Sequence, residues 1–111
     1  MRKYNFKEEI LEEVAGEEIV GVVIGEMGWG DFNKKNVPLY DSQPKGKVLS
    51  WEKAAPFLDY PHDPGYGAPE CNSVYVWTET RVLYVVQYDG STSIHSIPRN
   101  PVDIMPEMPG G

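Results

Sequence analysis

The stretch SVYVWTETRVLYVVQYDGSTSIHSIP, residues 73–98, holds three short apolar runs separated by two turn signals. It decides the fold because its pairing follows from residue types. Asp89-Gly90 between apolar runs marks a two-residue type I′ turn, which needs positive φ at both central positions. That turn pairs Tyr88 with Ser91, Val86 with Ser93, Val85 with Ile94 and Tyr84 with His95. The preceding turn falls at Glu79-Thr80. Neither residue favours positive φ, so a four-residue loop from Thr78 to Arg81 is expected. A two-residue or a four-residue loop gives the same partners: Trp77 with Val82, Val76 with Leu83, Tyr75 with Tyr84 and Val74 with Val85.

Side chains alternate between the two faces of a strand. One face of the predicted sheet therefore carries Val74, Val76, Leu83, Val85 and Ile94. The other carries Tyr75, Trp77, Val82, Tyr84, Val86, His95 and Ile97. A one-residue slip at either turn would invert the faces of a strand. The aliphatic face is assigned to the core. The aromatic face is apolar but carries polar tips that need partners when buried. Its ordinary fate is cover by a second layer of the same domain. A homodimer interface and a ligand cleft are the alternatives.

At 111 residues the chain is read as one α+β domain, 1–111, with an extended, partly loose tail from about residue 100. That length buries a core without metals or disulfides. The single cysteine, Cys71, excludes an internal disulfide and fits a reducing cytoplasm. The N-terminal MRKYNFKEEI has no apolar run after its basic residues, so no signal peptide is read there. The longest apolar run, residues 19–24, is too short to span a bilayer. The formal net charge is −7. Acids outnumber bases in residues 1–26 and 55–111, and bases outnumber acids in residues 27–54. No basic patch is dense enough to neutralise phosphates, so nucleic acid and anionic membranes are excluded as expected partners.

Asn5 and Glu8 have the spacing of a capping box, with Phe6, Ile10, Leu11 and Val14 on one helical stripe behind them. Gly16 is the expected stop. Residues 18–26 read as a central strand, apolar on both faces. Gly21 and Gly25 fall with Ile19 and Val23 on one side of it, where the first helix is expected to approach. Residues 27–47 read as a long loop with a short extended piece at 37–40. Trp29, between two glycines, is either a plug or a lid anchor. Ser50 caps a second short helix that Pro56 should kink or interrupt. Prolines and glycines in residues 59–71 argue against regular structure there. This second helix and the 59–71 loop are placed at the sheet's edge or over its other face. The fold class is α+β: an antiparallel sheet of four to five strands, an N-terminal helix packed on one face and a second short helix.

The 59–71 segment offers Asp59, Tyr60, His62, Asp63, Tyr66, Glu70 and Cys71. A metal reading would use His62, Asp63, Glu70 and Cys71, but no spacing here matches a zinc pattern. Cys71, with nothing beside it that lowers its pKa, reads as a small buried residue rather than a nucleophile. The glycines at 25, 28 and 30 lack nucleotide-fingerprint spacing. No cofactor is expected.

The leading expectation is a non-enzymatic binding or interaction protein, homodimeric, using Tyr75, Trp77, Tyr84 and His95, with Tyr60, Tyr66 and Trp29 nearby. Its partner would be a second copy, a small molecule or another protein. The second reading is a small enzyme with His95 as general base, assisted by Asp59 or Asp63. The third is an acidic accessory protein of a phage or other mobile element that inhibits a basic partner. That origin is a base-rate expectation and rests on no residue of this chain.

Overall fold

The computed structural model describes residues 3–28, 34–65 and 67–109. In chain order these form β1 (Tyr4–Asn5), α1 (Phe6–Val14), β2 (Ile19–Met27), 3-10 turns at Lys34–Asn36 and Tyr40–Ser42, and β3 (Val48–Leu49). Then come α2 (Trp51–Leu58), β4 (Pro61–His62), β5 (Asn72–Thr78), β6 (Arg81–Tyr88) and β7 (Ser91–Pro98). The fold is α+β. A five-stranded antiparallel sheet has the order β3-β2-β5-β6-β7, and β1 with β4 makes a separate two-stranded ribbon.

The predicted register is present. Tyr75 faces Tyr84, Val76 faces Leu83 and Trp77 faces Val82. Every β6–β7 pair derived from the Asp89-Gly90 turn is also found, including Tyr84 with His95. Asp89 and Gly90 both have positive φ, as a type I′ turn requires. Glu79 and Thr80 do not, in keeping with the looser turn expected there.

The aliphatic face is the core. Val74, Val76 and Leu83 are buried against Phe6, Ile10 and Val14 of α1 and Ala54 and Leu58 of α2, with Val85 and Ile94 at the rim. Leu11, on the predicted stripe, stays exposed. Asn5 caps α1 by accepting from Glu8 N at 3.0 Å, and Ser50 caps α2 by accepting from Lys53 N at 3.2 Å. Ala15 and Gly16 both take positive φ, which ends α1 and reverses the chain.

Several expectations are corrected. The glycine side of β2 does not receive α1. β2 has register shifts between Ile19 and Gly21 and between Ile24 and Met27. Each adds one residue and re-phases the alternation, so Ile19, Val22, Ile24 and Met27 all reach the helix side. Gly21, Val23 and Gly25 lie with the aromatic residues instead. Helix α2 packs on the same face as α1, not on the other. It continues through Pro56 to Leu58 rather than restarting. Pro56 there removes only the bond to the Glu52 carbonyl, near the exposed start of the helix. Residues 61–62 form β4, paired with Tyr4 and Asn5. Residues 37–40 are turn and 3-10 structure rather than extended, with Leu39 at positive φ. Trp29 and Tyr66 lie outside the described residues.

One carboxylate joins the helix layer to the β5–β6 turn. Glu17 accepts from Thr78 Oγ1 (2.9 Å), Thr80 N (3.2 Å), Thr80 Oγ1 (2.6 Å) and Arg81 Nε (2.9 Å). Arg81 also donates through Nη2 to the Glu13 and Val14 carbonyls, at 2.7 and 3.0 Å. Helix α1 has no basic residue in its last turn. Arg81 therefore supplies from the sheet the cation that suits a helix C-terminus. The Thr80 hydrogen bond first, then those of Thr78 and Arg81 and the guanidinium charge, outweigh desolvation and lower the Glu17 pKa to about 2.

A depressed carboxylate pKa stabilises the fold above the unfolded-state value, and that stabilisation is lost as pH falls through the folded one. The melting temperature is thus expected to drop between about pH 4.5 and about pH 2. Glu17→Gln should lower the melting temperature at neutral pH and flatten this part of the profile. Parallel profiles for the two proteins would show that another group carries the acid sensitivity.

Candidate functional site

With both helices on one side, the described residues form no second layer on the opposite side of the large sheet. Its strand positions are Gly21, Val23 and Gly25 of β2, Val48 of β3, Ser73, Tyr75 and Trp77 of β5, Val82, Tyr84, Val86 and Tyr88 of β6, and Ser91, Ser93, His95 and Ile97 of β7. None is Asp, Glu, Lys or Arg. Among the described residues, the aromatic face whose ordinary fate would be cover by a second layer is therefore open. Tyr75, Ile97 and Val48 are 56%, 53% and 77% exposed. Trp77, Val82, Tyr84, Val86 and His95 are half-buried by one another.

Ring contacts along β5 and between β6 and β7 order this face. Tyr75 meets Trp77 edge-on with ring centroids 5.9 Å apart, and Tyr84 meets His95 at 6.3 Å. A shallow recess of about 250 Å³ lies beside Gly25 and is lined by Val23, Ser73, Tyr75 and Tyr84. A Cβ at Gly25 would collide with Ser73 Oγ, which donates to the Glu26 carbonyl. The recess thus depends on a residue with no side chain. The C-terminal tail comes back to the β6–β7 end of the face. Glu107 lies 3.1 Å from His95 Nδ1, and Met108 and Pro109 line an open groove with Val86, Tyr88 and Ser93. His95 Nε2 is 3.1 Å from Ser93 Oγ.

The structure brings Tyr75, Trp77, Tyr84 and His95 onto one surface. Of the other candidates among the described residues, Tyr60, Asp59 and Asp63 lie elsewhere. Tyr60 is buried in the core, and burial drives its phenol pKa upward. Its hydroxyl donates to Asn72 Oδ1 (2.8 Å) and accepts from Asn72 N (2.9 Å). Asn72 in turn bonds Gln43 and the Gly25 carbonyl, tying residues 40–47 to the sheet. Asp59 lies in the helix layer, held by Asn5 Nδ2 at 2.8 Å and by Lys7, which lower its pKa in that order. Asp63 accepts from Gly65 N at 2.8 Å and lines a groove between α1 and β7. Neither aspartate is grouped with His95.

His62 is buried, edge-on to Phe6, and paired through Nε2 with Glu9. Glu70 accepts from Asp63 N at 3.2 Å. Among the described residues no group of three or more His, Cys, Asp or Glu is disposed to hold a metal ion. Likewise no described helix is long and apolar enough to cross a membrane. Sequence reading missed Gln43 and Asn72, because a buried polar cluster assembled from distant segments leaves no local pattern. It missed the Glu107–His95 contact for the same reason. Comparison of the chain with protein-family models, with curated proteins and with solved structures found no match.

Burial, and after it the nearby Glu9 and Glu70 charges, push the Cys71 thiol up to about 12. The thiolate is the reactive form. At pH 8, Cys71 is expected to resist a thiol-specific reagent in the native protein and to react fully once denatured. Rapid native labelling would place the thiol in an accessible, activated setting.

Proposed function

We propose that this chain is a non-enzymatic interaction protein that self-associates through the open face of its sheet. One observation carries this reading: the strand positions named on this face include no Asp, Glu, Lys or Arg in a chain of net charge −7, and Tyr75, Ile97 and Val48 stand exposed on it. Two copies of an acidic protein repel across most of their surfaces. They can meet without charge opposition on the face made by Tyr75, Trp77, Tyr84 and their neighbours. Exposed apolar surface of this extent on a sheet is a mark of an interaction site. Aromatic residues are also enriched where proteins meet.

Five strands averaging about seven residues, spaced about 4.8 Å apart, give roughly 500 Å² of flat sheet. Side-chain relief and the tail add to it. Val102, Ile104, Met105 and Met108 are all exposed along residues 101–109. Together they approach the ~800 Å² per partner of an ordinary stable interface. Tyr75 projects from the face and the recess beside Gly25 indents it, so the same surface offers both a knob and a hole. Sheet-on-sheet packing at about 10 Å accommodates such interdigitation.

Sedimentation equilibrium tests the proposal. The wild-type chain should run as a dimer at micromolar concentration. Tyr75→Glu and Ile97→Glu should each weaken the dimer by about tenfold or more, since each buries a charge at the contact. Both positions are more than half exposed, so the variant monomers should melt close to the wild type. A wild-type monomer at high concentration, or a dimer indifferent to both substitutions, would refute self-association through this face.

A further inference from the structure

A second surface lies on the other side of the sheet, where α1 runs beside the outermost strand. Strand β7 is an edge of the sheet. Its Thr92 N donates outward to the Pro64 carbonyl at 2.9 Å, and the Gly90 carbonyl accepts from Gly67 N at 2.8 Å. Inward- and outward-pointing residues alternate along an antiparallel strand. With Thr92 pointing outward, Ile94 and Ser96 point outward too. Among the described residues their outward N–H and C=O groups have no backbone partner. Pro98 also falls on this edge, where a missing donor costs nothing. Pro64, Gly67 and Pro98 thus shield the ends of β7 and leave a short window between them.

A groove of about 600 Å³ runs along Ser91–Ser93 and meets that window at Ile94. Its helix side is Glu9, Glu12 and Glu13, and Asp63 closes one end. Among the described residues no Lys or Arg lines it. Glu9 pairs with His62, whereas Glu12 and Glu13 are exposed. Helix and strand run side by side in the same direction. Residues 61–65 join the start of α1 to the start of β7, through Tyr4–His62 pairing and the Pro64–Thr92 bond. Arg81 joins the two ends, reaching Val14 O and Ser96 Oγ. Residues four apart on a helix are about 6 Å apart along its axis. Alternate residues of a strand are about 6.7 Å apart. Carboxylates at Glu9 and Glu13 therefore match the spacing of every second side chain of a strand laid on β7.

We propose that β7 accepts an extended basic segment of a partner protein as a sixth strand, its alternate Lys or Arg side chains meeting the α1 carboxylates. Backbone bonds to Ile94 and Ser96 supply the strand pairing, and the acidic groove selects the side chains. A second copy of this chain does not fit. Pairing β7 with β7 about a twofold axis would place two α1 helices side by side, with Glu12 and Glu13 of one facing those of the other. This surface is separate from the open sheet face, so the two proposals fail independently.

The probe is a peptide of about eight residues alternating Lys with Val or Thr, a length suited to one strand. Two further versions carry N-methyl groups on one or the other alternate set of residues, and a control has Glu for Lys. Fluorescence anisotropy reads affinity, and amide shifts in NMR spectra read location. Expected are binding that weakens as salt rises from about 20 to about 200 mM, shifts at Ile94 and Ser96, and no binding of the Glu control. One N-methylated peptide should bind and the other should not. Glu12→Gln with Glu13→Gln, at exposed positions that leave the fold intact, should weaken binding roughly tenfold, while Tyr75→Glu should leave it unchanged. Failure of the Lys peptide to bind, equal binding of both N-methylated forms, or shifts confined to another surface would overturn the proposal.

Discussion

A single phase relation between strands determines which side of this sheet is core and which is surface. The Asp89-Gly90 turn sets β6 against β7, and the β5–β6 turn sets Tyr75 against Tyr84. A slip of one residue in either would carry Val76 or Leu83 to solvent and Trp77 or Tyr84 under the helices. Burial of such aliphatic side chains is worth about 1.5–3 kcal/mol each, so the observed phase is held by several of them acting together. In β2 the relation is kept in another way. Two bulges adjust a strand whose own alternation would point glycines at the helix, and they deliver Ile19, Val22, Ile24 and Met27 to the core.

Polar groups then lock the layers that burial brings together. Glu17 and Arg81 tie the end of α1 to the β5–β6 turn. Asn5 both caps α1 and bonds Asp59 at the end of α2. The Tyr60–Asn72–Gln43 cluster holds the 40–47 segment against the sheet edge. In that buried cluster unsatisfied groups would be costly, and each amide and hydroxyl finds a partner. These ties explain why loops rich in proline and glycine follow defined paths beside the core.

The same arrangement divides the surface by chemistry. Charge collects on the helix layer, where Glu8, Glu12 and Glu13 of α1 are exposed and Glu9 is half-buried against His62. The open sheet face carries aromatic and aliphatic side chains and no formal charge at its strand positions. A neutral face and an acidic groove suit different partners, one a like surface and the other a basic strand. The tail, returning to His95 through Glu107, borders the neutral face without covering its β2–β5 half.

Register, turn type, both helix caps and the composition of each sheet face were legible in residues 5–8, 50–53 and 73–98, because each follows from neighbouring residues. Local sequence also foretold a small buried Cys71. It did not foretell that both helices would share one face, since amphipathic stripes do not say which side of a sheet they cover. Nor did it foretell the bulges of β2, which arise where competing apolar residues on two faces are drawn to one core. Tyr60 looked like a surface candidate in a loop rich in proline. It became core because Asn72, twelve residues away, meets its hydroxyl. The sequence by itself determined the strand alignment and the aromatic row. Only the tertiary structure decided that the row lies opposite both helices and that an acidic helix lies along the edge strand, because packing between distant segments chooses which surfaces are covered.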